Sequence, residues 1–106
     1  MPDARITVPP SVPRGKPFEV RIIVRHPMET GYRTDESGKS IPRNVIRSLS
    51  CRYNGEVVFS AKLSSGIAAN PYLRFFVTAK ESGPLAFEWD DDSGLRGSDT
   101  ASVTVA

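Results

Sequence analysis

Apolar and polar residues alternate with a period of two through most of this 106-residue chain, and no stretch keeps a helical period beyond one turn. The clearest run is residues 18–25. Phe18, Val20, Ile22 and Val24 share one face there, while Glu19, Arg21 and Arg25 share the other, the mark of a half-buried strand. Residues 5–8 make a short first strand, stopped by Pro9-Pro10, which lack the N–H that a ladder needs. In residues 45–53, Val45, Leu49, Cys51 and Tyr53 lie on one side. Asn54-Gly55 then supplies the residue pair that tolerates positive φ at both centres of a tight hairpin turn. The returning strand, residues 56–63, points Val57, Phe59, Ala61 and Leu63 inward. In residues 72–79, Leu73, Phe75, Val77 and Ala79 face inward, and Phe76 on the other side predicts partial cover on both faces. Leu85, Phe87 and Trp89 form the next core face, Asp90-Asp91-Asp92-Ser93-Gly94 a solvated hairpin turn, and Ala101, Val103 and Val105 the last strand. About seven short strands separated by turns predict an all-β, antiparallel immunoglobulin-like β-sandwich, with a small β-barrel as the alternative. A single cysteine excludes the Cys-Trp-Cys pattern of true immunoglobulin domains, so the term describes architecture only.

The chain has the length of one domain, residues 1–106, and can bury a core without cross-links. With Cys51 its only cysteine, it can form neither an internal disulfide nor a zinc site of the cysteine type. The net charge of +2 is spread thinly, and no basic run reaches the length of a nucleic-acid patch. No apolar run approaches the roughly 20 residues of a membrane span, and no export signal precedes the first strand. Neither nucleic acid nor membrane is therefore expected as a partner, and composition alone reads as cytoplasmic.

Residues 25–43 interrupt the strand rhythm. A connection this long without a period of its own is usually functional or disordered. It holds His26, the only histidine, which excludes a histidine pair on a metal, and no Gly-x-Ser-x-Gly accompanies it. A loop histidine held by a structural hydrogen bond accounts for it better than a catalytic base. Cys51 falls on a core face and reads as an inert thiol; if that face were covered by another subunit, it could make a redox contact with a partner thiol. The three consecutive aspartates lack calcium-loop spacing, so no metal and no cofactor is expected. Met28 in a polar loop suits an adaptable contact surface, and Ile67, Tyr72 and Phe76 make the same case. A satellite cluster beneath the long loop explains these four equally well. Spacing thus supports a binding or assembly module rather than an enzyme.

Three strings carry more. Arg25-His26-Pro27-Met28-Glu29-Thr30-Gly31, Ile41-Pro42-Arg43 and Ala68-Ala69-Asn70-Pro71-Tyr72 closely resemble the SoxZ family, small subunits of the SoxYZ sulfur-carrier complex of thiosulfate oxidation. Tyr53-Asn54-Gly55 and Phe87-Glu88-Trp89 before an acidic turn are also similar to that family. The resemblance implies a β-sandwich that pairs with a SoxY-like protein, as a heterodimer or within a higher assembly, the partner's Gly-rich arm carrying sulfur on a cysteine. It implies transient contact with other thiosulfate-oxidation enzymes, no active site of its own, and a periplasmic location reached by export with the partner. Under that resemblance His26, Met28, Arg43, Asn70 and Tyr72 are expected to line or border the seat of the carrier arm, and Ile67 and Phe76 to join the partner surface. Direct assistance to sulfur transfer by His26 or Cys51 is the catalytic alternative. A stand-alone adhesion or chaperone-like sandwich is the third.

Overall fold

A computed structural model describes residues 4–64 and 66–106. The lead of residues 1–3 into the first strand, and Ser65 of the second loop, lie outside the described residues. Among the described residues seven strands form two antiparallel sheets: β1 Ala4–Thr7, β2 Pro17–Val24, β3 Ile46–Tyr53, β4 Glu56–Lys62, β5 Tyr72–Thr78, β6 Gly83–Asp91 and β7 Arg96–Val103. One sheet has the order β1-β2-β5 and the other β4-β3-β6-β7.

The alternating side chains explain why the sheets stack. Val20, Ile22 and Val24 from β2 are fully buried against Leu49 and Cys51 of β3 and Leu85 and Phe87 of β6. Aromatic rings bridge the layers: Phe18 meets Tyr53 edge-on at 6.1 Å, and Phe75 stacks on Phe59 at 4.2 Å, nearly parallel. The Tyr53 hydroxyl accepts from the amides of Lys80 and Glu81, both at 3.2 Å, and so ties β3 to the turn before β6. On the far side, Val12 pairs with Val105 in a parallel bridge and joins the chain's two ends.

The Asn54-Gly55 turn has the predicted positive φ at both residues, 50° and 86°. The strand after it departs from the expectation. Arg52 pairs with Val57 but Cys51 pairs with Phe59, so Val58 is an inserted bulge residue. The bulge shifts the phase by one. Val57 is 49% exposed instead of inward, and Val58 packs on the core in its place. The expected partial cover over Phe76 is not seen among the described residues: it is 63% exposed on the outer face of β5.

Strand polarity decides what meets where. The chain leaves β2, enters β3 and β5, and turns from β6 to β7 at one end of the sandwich. The interrupted segment, the loop before β5 and the acidic turn therefore converge there. An eight-residue strand spans about 27 Å at the usual rise per residue, about half of the 57 Å long axis. The loops at the two ends supply the rest.

Candidate functional site

His26 stands at the centre of this loop end. Its side chain is 8% exposed, close to that of Asp91, itself 4% exposed. The Met28 amide donates to His26 Nδ1 at 2.9 Å. A backbone amide can only donate, so Nδ1 holds a lone pair and the ring proton sits on Nε2. Nε2–H then donates to Asp91 Oδ2 at 3.0 Å. Both ring nitrogens are engaged.

Asp91 collects the remaining donors of its own turn. Its Oδ1 accepts from the Ser93 amide at 2.9 Å, the Ser93 hydroxyl at 2.6 Å and the Leu95 amide at 3.1 Å. Burial raises the cost of ionising this carboxyl, but the bonds from Ser93, His26 and the Leu95 amide together outweigh it and hold its pKa down at about 2. The expected turn is present, with Asp92, Ser93 and Gly94 exposed, but Asp91 is corrected: it is buried rather than solvated. Asp91 follows Leu85, Phe87 and Trp89 on the same face of β6, and that parity carries it inward.

Asn70 clasps the same histidine from the second loop. Its side-chain Oδ1 accepts from the His26 amide at 3.1 Å, and its own amide donates to the His26 carbonyl at 2.7 Å. Asn70 takes φ +53°, a region that asparagine tolerates, immediately before Pro71 fixes the entry to β5.

Met28 is not an exposed contact residue. It is 4% exposed and belongs to the core, and its sulfur accepts from the Ile46 amide at 3.3 Å. The chain reverses at Met28 with φ +51°, which folds the side chain under the loop instead of into solvent. Beyond it the interrupted segment is an irregular two-limbed arm. Glu29 and Asn44 exchange two backbone bonds of 2.8 Å, and Thr34 bridges Ser40. The tip closes on Asp35, whose Oδ1 accepts from the amides of Ser37 and Lys39 at 2.9 and 3.0 Å. At the arm's base Gly31 has φ +89°, and a Cβ there would stand 3.0 Å from the Arg43 Cβ.

Arg43 pairs with Asp92 Oδ2 at 3.3 Å while its side chain stays 54% exposed. The same oxygen accepts from the Val45 amide at 3.1 Å, and Asn44 Oδ1 accepts from the Ser93 amide at 3.3 Å. The arm is therefore latched to the β6–β7 turn by Asn44, Asp91 and Asp92. Sequence reasoning missed all three as one unit; the inward parity of Asp91 was the signal available for it.

The structure brings His26, Met28, Arg43 and Asn70 together, with Tyr72 beginning β5 just after Pro71. Ile67, 38% exposed, lies in the second loop. Phe76 lies further along β5, away from this end, and Cys51 is fully buried between the sheets. Burial raises the Cys51 thiol to about 11. Tyr32 on the arm, 88% exposed, is a surface aromatic that the sequence reading passed over. A shallow depression of about 460 Å³ lies elsewhere, on the outer face of the larger sheet around Ser48, Ser50, Glu88 and Arg96, and holds none of the expected site residues. Among the described residues no group of three or more histidine, cysteine or acidic side chains could hold a metal. No described helix is long and apolar enough to cross a membrane.

Two stacked antiparallel sheets, with a polar latch closing the loops at one end, define an immunoglobulin-like β-sandwich. The chain belongs to the SoxZ family: residues 6–102 match the family described as sulphur oxidation protein SoxZ. Curated proteins include none that matches it in sequence. In fold it is similar to a superoxide reductase (neelaredoxin) from Ignicoccus hospitalis, at 21% identity and a TM-score of 0.75, covering 97% of this chain and 80% of that one. It is also similar to the sulfur carrier protein SoxY from Chlorobium limicola f thiosulfatophilum, at 12% identity and a TM-score of 0.67, covering 98% and 79%. A CARDB domain from Pyrococcus furiosus follows at 16% identity and a TM-score of 0.52, covering 97% and 95%. These likenesses describe the sandwich. Family membership places the chain in the Sox sulfur-oxidation system.

Proposed function

We propose that this chain is the scaffolding subunit of a periplasmic sulfur-carrier complex, pairing with a SoxY-like protein whose arm cysteine carries the covalent sulfur intermediate. The observation that carries the reading is the SoxZ family match across residues 6–102. The chemistry of the chain's own groups supports it. Cys51 is sealed in the core with its thiol raised to about 11, a poor nucleophile near neutral pH. His26 has both nitrogens committed to the latch, so it has no free position for proton transfer to a substrate. Sulfur chemistry therefore belongs on the partner.

In this reading His26, Met28 and Asp91 shape the seat from within, and the exposed groups Arg43, Asn70, Ile67 and Tyr72 border it. A sulfonate or thiosulfonate on the carrier arm would accept charge-assisted bonds from the Arg43 guanidinium. Arg43→Ala separates support from contact. The Arg43–Asp92 pair is half-exposed, so its loss costs less than about 1 kcal/mol of stability. Affinity for the SoxY-like subunit, measured by calorimetry, is expected to fall clearly. Intact-mass spectrometry of the complex after thiosulfate turnover is expected to find added sulfur on the partner only. Sulfur on Cys51 would sink the scaffolding assignment.

A further inference from the structure

The strand edges of this sandwich are not equivalent. β1 has four described residues, β4 is bent by the bulge at Val58, and β7 is lined by Gly97, Ser98, Asp99, Thr100 and Ser102. Short, bulged or polar edges are the usual means of discouraging pairing with another sheet. β5 is neither short nor bulged, and its single charge is Arg74, whose side chain is 57% exposed. It forms the edge of the smaller sheet, runs seven residues in unbroken register with β2, and exposes Tyr72 at 52% and Phe76 at 63%.

We propose that β5 is a self-association edge, at which two copies of this chain pair antiparallel with Phe75 on the two-fold axis. The backbone sets the register. Val24 donates to the Pro71 carbonyl at 3.0 Å and Ala79 to the Lys16 carbonyl at 2.8 Å. Antiparallel bonding alternates along a strand, so the odd-numbered residues of β5 bond to β2. Tyr72, Arg74, Phe76 and Thr78 turn their amides and carbonyls to the open edge. Centring the pair on Phe75 engages all four, with Tyr72 opposite Thr78 and Arg74 opposite Phe76 of the second copy. Centring it on Arg74 would set two guanidinium groups face to face, which like charges disfavour.

Charge on the outer face agrees with that register. Within one chain Arg21 lies opposite Arg74 and Glu19 opposite Phe76. Two arginines thus stand side by side and share one carboxylate: Glu19 accepts from Arg21, and its other oxygen is 3.6 Å from Arg74. Across the axis each row reads Arg21, Arg74, then Phe76 and Glu19 of the second copy. Each pair of cations meets a ring face and a carboxylate, a self-complementary arrangement. This inference does not rest on the sulfur-carrier reading.

Sedimentation velocity of the isolated full chain from about 1 μM to 1 mM tests it. The wild-type mass is expected to rise to twice the monomer. Phe76→Arg sets arginine against Arg74 and is expected to stay monomeric throughout. Arg74→Glu with Phe76→Arg restores an opposite-charge pair in the same register and is expected to regain the dimer. Far-UV circular dichroism and cooperative unfolding check that each variant folds. A wild-type chain monomeric at every concentration, a dimer that F76R leaves intact, or a double variant that fails to recover would each overturn the proposal. So would a monomeric chain that uses Phe76 to bind a SoxY-like subunit, because the edge would then belong to that partner.

Discussion

Asp91 shows how one side chain can fix several segments at once. Its two oxygens face donors only, from His26 on one side and from Ser93 and Leu95 on the other. Asp91→Asn must therefore turn its amide against a donor in either orientation. The expected cost is about 2–3 kcal/mol of stability at neutral pH, read from the urea midpoint. The pH dependence has a defined sign. A carboxyl held near 2 in the fold and near 3.9 when unfolded contributes stability that is complete above about pH 5. That contribution, about 2 kcal/mol, is lost as pH falls toward 2. Asp91→Asn should flatten the stability curve between pH 5 and 2, and a variant with the wild-type acid slope would refute the role given to this carboxylate. Cys51 makes the opposite case. Fully buried and with its thiol raised to about 11, it should resist a thiol reagent in the native chain and react fully in denaturant. Rapid native labelling would contradict its placement.

At the scale of elements, the strands were legible because burial on one face imposes a period of two, and β2 and β5 follow it residue by residue. The failures have local causes. A bulge is a one-residue insertion in pairing, and no residue type announced that Val58 rather than Val57 would face the core. Met28 looked exposed because its sequence neighbours are polar; its burial depends on a backbone reversal and on the distant Ile46 amide. Asp91 was legible in principle, since it continues the phase of Phe87 and Trp89, but an acidic run before Ser-Gly is also what a solvated turn looks like. The latch itself joins residues far apart in the chain, such as His26 with Asn70 and Asp91, and local pattern does not reveal such pairings. The arm offers its own test. Gly31→Ala adds a Cβ at a positive φ and 3.0 Å from Arg43, so it should cost about 1–2 kcal/mol. Faster hydrogen exchange should be confined to the arm, with the β3–β6 core unchanged. Unaltered exchange would mean that the close approach to Arg43 does not matter.

For the whole molecule, the larger sheet and the smaller sheet pack on one core, and the polar latch draws three loops together at its end. The sealed thiol and the fully committed histidine agree with the proposed scaffolding role, in which the reactive group belongs to another protein. Its place in the SoxZ family gives that role a chemical setting. The most direct test is hydrogen-exchange mass spectrometry of the chain alone and co-expressed with a SoxY-like subunit. The account predicts a stable complex, with protection concentrated in residues 25–43 and 64–72. Failure to form a complex, or protection that leaves both loops unchanged, would contradict it.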